Sequence, residues 1–191
     1  MYLMQDIKVI VFVGMPGAGK SVCVDYLRRK GLPYVYFGGI TLDEVKRRGM
    51  EVNAASEKFV REDIRAKEGK GAYAVRIIGQ IEELFHQGHD KVVVDGLYSW
   101  TEYKIFKESF GHNAIIIGIV SPRKFRHKRL AERAERPLTE EEASARDYAE
   151  IENIEKGGPI ANADYYLANE TSVKALESDL EKLLPTVGIN L

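Results

Sequence analysis

The sequence predicts an α/β protein, a three-layer α/β/α fold on a five-stranded parallel sheet. Three observations carry this. Five short runs rich in valine, isoleucine or aromatic residues alternate with longer amphipathic runs, the pattern of strands joined through right-handed crossover helices. The run Lys91-Val92-Val93-Val94-Asp95 is almost purely valine before its aspartate, as in strands covered on both faces. The first strand candidate runs into Gly14-Met15-Pro16-Gly17-Ala18-Gly19-Lys20-Ser21, and a helix pattern follows, which is the setting of a phosphate-binding loop, or P-loop.

Residues 7–13 read as the first buried strand and residues 22–29 as the body of the first helix, ending at Lys30-Gly31. Residues 33–37 read as the second strand, stopped by Gly38-Gly39. A short helix is expected over residues 41–48, with Thr41 as N-cap and Glu44 as its capping-box partner. Further helices are expected over 53–68 and 73–87, the latter with Val75, Ile78, Ile81, Leu84 and Phe85 on one face. The third strand is 91–96, then come a helix over 99–109 and an isoleucine-rich strand over 113–120. A basic helix over 122–135 and an acidic one over 138–155 precede the fifth strand at 165–168 and a closing helix over 172–184. The stretches 41–88 and 122–160 exceed one crossover helix and read as helical covers inserted into a core of 1–40, 89–121 and 161–191.

The chain of 191 residues carries 28 Lys and Arg against 29 Asp and Glu, a net charge of −1, so no global field recommends nucleic acid or an anionic membrane as partner. Cys23 is the single cysteine, which excludes an intrachain disulfide and fits a reducing compartment. It reads as a small buried residue, with a reactive thiol as the alternative. Residues 1–6 lack the pattern of a signal peptide and no apolar run reaches the length of a membrane span, so the expected location is the cytoplasm. The four histidines show no metal-ligand spacing.

In the loop, glycines 14, 17 and 19 allow positive φ and let successive backbone N–H groups face a polyphosphate at a helix start. Pro16, Ala18 and Val22 complete the expected nucleotide contact. Lys20 is placed to reach the β- and γ-phosphates, and Ser21 to offer its hydroxyl to Mg²⁺. Asp95 ends a hydrophobic strand, where a carboxylate takes hold of the same Mg²⁺ or else merely turns the chain with Gly96. In the basic helix, Arg129 and Arg133 share a face at a spacing of four and are candidate transition-state contacts, against the alternative of a solvated cationic face. Around the second strand the acceptor candidates are Gly39, Thr41 and Arg65, with Arg48, Arg61 and Arg76 as further cations. Tyr98 and Trp100 either stack on a base or pack under a cover.

With loop, strand end and arginine helix in place, the chain resembles the nucleoside-monophosphate kinase group of P-loop proteins. It is most similar to the adenylate-kinase-related proteins known mainly from archaea, which also resemble dephospho-coenzyme A kinases. The telling runs are Asp95-Gly96-Leu97-Tyr98-Ser99, Arg129-Leu130-Ala131-Glu132-Arg133, and Ala163-Asp164-Tyr165-Tyr166-Leu167-Ala168-Asn169-Glu170. By resemblance, Asn169 and the loop after it lie against the adenine of ATP. Three departures stand out, the first being that Gly38-Gly39-Ile40-Thr41-Leu42-Asp43 lacks the Gly-Asp pair and following arginine of the acceptor region in typical adenylate kinases. The chain lacks the Asp-Gly-aromatic-Pro-Arg run of typical adenylate kinases, and it lacks the Asp-Ala-Asp run of dephospho-coenzyme A kinases. The donor half matches the resemblance and the acceptor half does not.

The expected activity is ATP-dependent phosphoryl transfer, with Mg²⁺ as cofactor, to a small phosphorylated acceptor such as a nucleoside monophosphate. Lys20, Asp95, Arg129 and Arg133 are the expected catalytic groups. The alternatives are an ATP- or AMP-binding switch with slow hydrolysis and a protein or RNA partner, and a dephospho-coenzyme A kinase. The sequence leaves the oligomeric state open.

Overall fold

A computed structural model describes residues 7–191; the reading of residues 1–6 lies outside the described residues. Five strands, β1 (Lys8–Val13), β2 (Tyr34–Tyr36), β3 (Lys91–Asp95), β4 (Ala114–Val120) and β5 (Tyr165–Ala168), form one sheet in the order β2-β3-β1-β4-β5. Every pairing is parallel, with Val9 opposite Val92 on one side and Ala114 on the other. The nearly continuous apolar character of β1, β3 and β4 follows from their position: they are the three inner strands and both their faces are covered.

Alternation along β1 divides the core. Val9, Val11 and Val13 face one apolar cluster with Phe37, Val60, Ile64, Ile77, Ile81 and Phe106, while Ile10 and Phe12 face the other with Leu27, Ile117, Leu176, Leu180 and Leu184. Helices α1 (Lys20–Arg29) and α9 (Val173–Thr186) cover the second face. The first is covered by α2 (Phe37–Arg47), α3 (Ala54–Glu68), α4 (Ala72–His86) and α5 (Trp100–Phe110). Helices α6 (Arg123–Ala131), α7 (Glu140–Glu152) and α8 (Gly157–Ala161) stand between β4 and β5.

Five local expectations are corrected. Helix α2 begins at Phe37, four residues before Thr41, so Thr41 is buried mid-helix rather than capping it. Gly38 and Gly39 do not stop the preceding strand as two breakers; a Cβ on Gly38 would sit 2.3 Å from the Tyr36 ring and hydroxyl, so the glycine admits the tyrosine and the chain turns directly into helix. Capping boxes do form, at Ser99 with Glu102 and at Thr139 with Glu142. In α4 the buried side is Tyr73, Ala74, Ile77 and Ile81, leaving Val75 62% exposed. Helix α6 ends at Ala131, so Arg133 lies beyond it and shares no helical face with Arg129. Helix α8 was not expected from Gly157-Gly158-Pro159; a Cβ on Gly158 would meet the Trp100 ring at 2.8 Å, so that glycine marks close helix packing rather than a free turn.

Candidate active site

The loop between β1 and α1 owes its shape to what packs beneath it. Gly14, Gly17 and Gly19 have φ of 153°, 77° and 111°. Side chains there would also collide: a Cβ would lie 2.5 Å from the Ile119 carbonyl oxygen at Gly14, 2.6 Å from the Arg126 carbonyl oxygen at Gly17, and 2.2 Å from the Asn169 amide nitrogen at Gly19. Helix α1 then starts at Lys20 with no side-chain cap, leaving first-turn N–H groups for an anion. The Lys20 ammonium folds back on the loop and donates to the carbonyls of Gly14 (2.8 Å) and Met15 (3.4 Å). Burial, reinforced by the charge of Lys156, pulls its pKa down to about 7, with Asp95 opposing. A polyphosphate beside it would reverse that penalty.

The loop faces a cleft of about 990 Å³, at the upper end of the size that holds a small-molecule ligand. Pro16, Gly17, Gly19, Lys20, Ser21 and Val22 line it together with Asp95, Tyr98, Thr41, Arg65, Arg129, Arg133 and Asn169, so most of the residues singled out in the sequence come together. Gly14 and Ala18 lie beneath the loop surface and Gly39 does not line the cleft, which removes the position expected of Gly39. Arg48 is tied to Glu44 and Asp63, and Arg76 to Glu68, both away from the cleft. Cys23 is fully buried with its thiol pushed up to about 12 by burial, an inert core residue.

Several residues hold the site rather than stand open in it. Asn169, 7% exposed, donates its amide to the Ala18 carbonyl (2.7 Å). Arg129 donates to Gly17 (3.3 Å), to the Ser121 hydroxyl (3.1 Å) and to the Asn169 carbonyl (2.9 Å). Arg126 is buried, bidentate on Asp147 (2.8 and 2.7 Å), and also donates to the Pro16 carbonyl (3.1 Å). Asp147 in turn meets His127, whose other ring nitrogen meets Glu140. The basic helix therefore turns part of its charge inward as a scaffold beneath the loop.

On the opposite side, α2 also begins without a capping side chain, and Phe37 and Gly38 line the cleft. The Thr41 hydroxyl pairs with the Tyr73 hydroxyl at 2.7 Å. Arg65 lies over the Tyr73 ring, 5.0 Å from its centre, with buried Glu102 at 3.7 Å. Sequence reasoning missed Arg146, Glu150 and Lys156, which also line the cleft. The walls carry eight cationic side chains, Lys20, Arg61, Arg65, Arg129, Arg133, Arg136, Arg146 and Lys156, against three carboxylates, Glu57, Asp95 and Glu150. That excess suits an anionic ligand with more than one charged group.

The Ser21 hydroxyl and Asp95 carboxylate fit Mg²⁺ in the manner of a nucleotide site: two protein oxygens on the cleft beside the phosphate loop, the remaining ligands coming from phosphate and water. Burial raises the pKa of Asp95 while the nearby Lys20 holds it down.

Loop, sheet order and cleft together define a P-loop protein with a kinase-like fold. Among solved structures, shikimate kinase from Acinetobacter baumannii in complex with shikimate superposes with a TM-score of 0.57 at 17% identity, covering 98% of each chain. A gluconokinase from Sinorhizobium meliloti superposes at 0.57 and 13% identity, covering 96% of this chain and 97% of that one. These are likenesses of fold alone. A family model described as an AAA domain matches residues 10–152. UPF0200 protein TK1334 of Thermococcus kodakarensis is 32% identical over 182 residues, covering 94% of this chain and 97% of the relative, and a UPF0200 protein of Thermococcus sibiricus is 34% identical over 185 residues, covering 95% and 96%. A UPF0200/UPF0201 protein of Archaeoglobus fulgidus is 32% identical over 191 residues, although the chain spans 58% of that relative's length. The chain belongs to the UPF0200 family, within the P-loop group that the AAA-domain match marks.

Proposed function

We propose that the protein transfers the γ-phosphoryl group of ATP to a small phosphorylated acceptor of the nucleotide class. The observation that carries this reading is the doubling of the anion site. The cleft is lined by the phosphate loop and, outside the loop, by a further set of cations, Arg61, Arg65, Arg133, Arg136 and Arg146, and the uncapped start of α2 opens on the same space. Hydrolysis alone needs only the first; transfer needs both.

In this reading the loop amides and Lys20 hold the β- and γ-phosphates, and Ser21 and Asp95 hold the metal. Bound Mg²⁺ would supply charge neutralisation between β- and γ-oxygens. Thr171 and Val173, at the edge of the cleft beyond Asn169, flank the base of the donor. Tyr36, Tyr73 and Tyr98 offer aromatic surface for the acceptor. A dianionic acceptor phosphate attacks the γ-phosphorus, a new P–O bond forms as the bond to the bridging oxygen breaks, and the electron pair leaves with ADP. No proton has to be removed from such an acceptor, so no protein base is required. Residues 41–88 and 122–160 act as covers that close over the substrates and keep water from the γ-phosphate. Arg136 already reaches across to Glu57 at 3.5 Å, joining one cover to the other.

The test is ADP release with Mg·ATP and a panel of nucleoside monophosphates and dephospho-coenzyme A. Multiple turnover that depends on one acceptor is the expected result. Slow hydrolysis indifferent to every acceptor overturns transfer in favour of a nucleotide-dependent switch, and absence of Mg·ATP binding by calorimetry overturns both.

A further inference from the structure

Lys156 stands between α7 and α8 and is 4% exposed. Its ammonium pairs with Glu150 and lies 4.7 Å from the centre of the Tyr98 ring, and its backbone N–H donates to the Glu150 carbonyl at 3.0 Å. Glu150 does not serve Lys156 alone: Arg146 approaches the same carboxylate at 3.7 Å. The seat thus holds two cations on one carboxylate and opens on the same cleft as Lys20, whose charge Lys156 opposes. Burying an ammonium on a shared carboxylate costs more than an apolar side chain of the same length would. Packing therefore gives no reason for the charge, whereas an incoming polyanion does.

Resting on the phosphotransferase reading, we infer that Lys156 is a substrate-contacting residue: Glu150 and the Tyr98 ring hold its ammonium beside the phosphate loop, and it passes from Glu150 to the oxygens of the phosphoryl group in transfer once donor and acceptor are both in place. Lys20 belongs to the loop and meets the donor as soon as it binds. Lys156 belongs to the segment between α7 and α8, and its contact forms when the γ-phosphoryl group moves toward the acceptor. Its effect therefore falls on the transition state and not on donor binding. Until then the Glu150 carboxylate offsets the repulsion between the two ammonium groups. The downward pull of burial on the Lys156 pKa accords with a charge that gains from a second anion.

Lys156→Met keeps an unbranched side chain as far as the ε position and removes the ammonium group. The expected result is a Mg·ATP dissociation constant within about twofold of wild type by calorimetry and a fall in acceptor-dependent kcat of about 100-fold or more, the scale of one lost transition-state donor. Lys156→Arg recovers a measurable part of that loss. A folded Lys156→Met with kcat within about threefold of wild type overturns the inference while leaving the phosphotransferase reading in place; failure of wild type to turn over with any acceptor removes that reading first. Should Lys156→Met fail to fold, Glu150→Gln decides. A Lys156 that acts on substrate keeps at least about a tenth of wild-type kcat when released from Glu150, and a loss of about 100-fold there marks the pair as structural and overturns the inference.

Discussion

On the phosphate-loop side of the cleft three polar side chains are already held: Lys20 by the carbonyls of Gly14 and Met15, Asn169 by Ala18, and Arg129 by Gly17, Ser121 and Asn169. Of the cleft's other cations, Arg61 and Arg133 make no ion pair or hydrogen bond among the described residues, and Arg65 and Arg136 approach a carboxylate only at 3.7 and 3.5 Å. The first side has its geometry fixed in advance, which is what a site for a constant group such as a triphosphate requires. The second set has charge in surplus and geometry in reserve. In the proposed reaction an acceptor phosphate would supply the missing anion there, and specificity would reside in how the arginines settle around it.

Breaking the fixed side should have the larger effect. Lys20→Met removes the ammonium with the loop glycines intact and is expected to lower kcat by about 1,000-fold with the circular dichroism spectrum unchanged; retained turnover would mean that the loop is not where transfer occurs. The two sides separate more finely through Arg61→Ala and Arg133→Ala. Each removes one charge-assisted contact, so the KM for the acceptor should rise by about 10- to 100-fold with Mg·ATP affinity unaltered, while Arg76→Ala, tied to Glu68 on the surface, serves as the control. Weakened ATP binding in either variant would erase the division between the loop and the other cations.

The smallest effect, counted per unit of pH, is expected from titration of Lys20. The pKa of Lys20 is lowered to about 7 in the free protein, so above that pH the side chain is largely neutral, and a bound polyphosphate draws the proton back. Binding of Mg·ATP at pH 8 should therefore take up close to one proton, seen as buffer-dependent heat. Affinity should fall by up to about tenfold per unit between pH 7 and 9. For the fold itself the sign is opposite. A lysine whose pKa is depressed on folding opposes folding when charged, and this penalty is relieved as pH rises from about 7 toward the unfolded value of 10.5.

The loop and sheet were legible because their signals are local. Glycine spacing, a β-branched strand before and a helix after fix Gly14 to Ser21 as a unit, and the valines before Asp95 announce an inner strand. The start of α2 was not legible, because the pair of glycines looks like a breaker while Gly38 in fact makes room for Tyr36 and both continue into the helix. Nor was the sorting of the arginines. Arg126, Arg129 and Arg133 look alike in the chain, yet the first is buried on Asp147, the second is spent on Ser121, Asn169 and the loop carbonyl of Gly17, and the third lies past the end of its helix with no ion pair or hydrogen bond among the described residues. Lys156 and Glu150 gave no signal at all, since a lysine six residues from a glutamate reads as surface.

The hold of Arg126 has a mechanical side. One nitrogen of that guanidinium grips both the Pro16 carbonyl and Asp147, so the front of the loop and the middle of α7 turn on a common pin. A rigid swing of the α6–α7 arm would therefore either break the bond to the Pro16 carbonyl or carry that bend of the loop along with it.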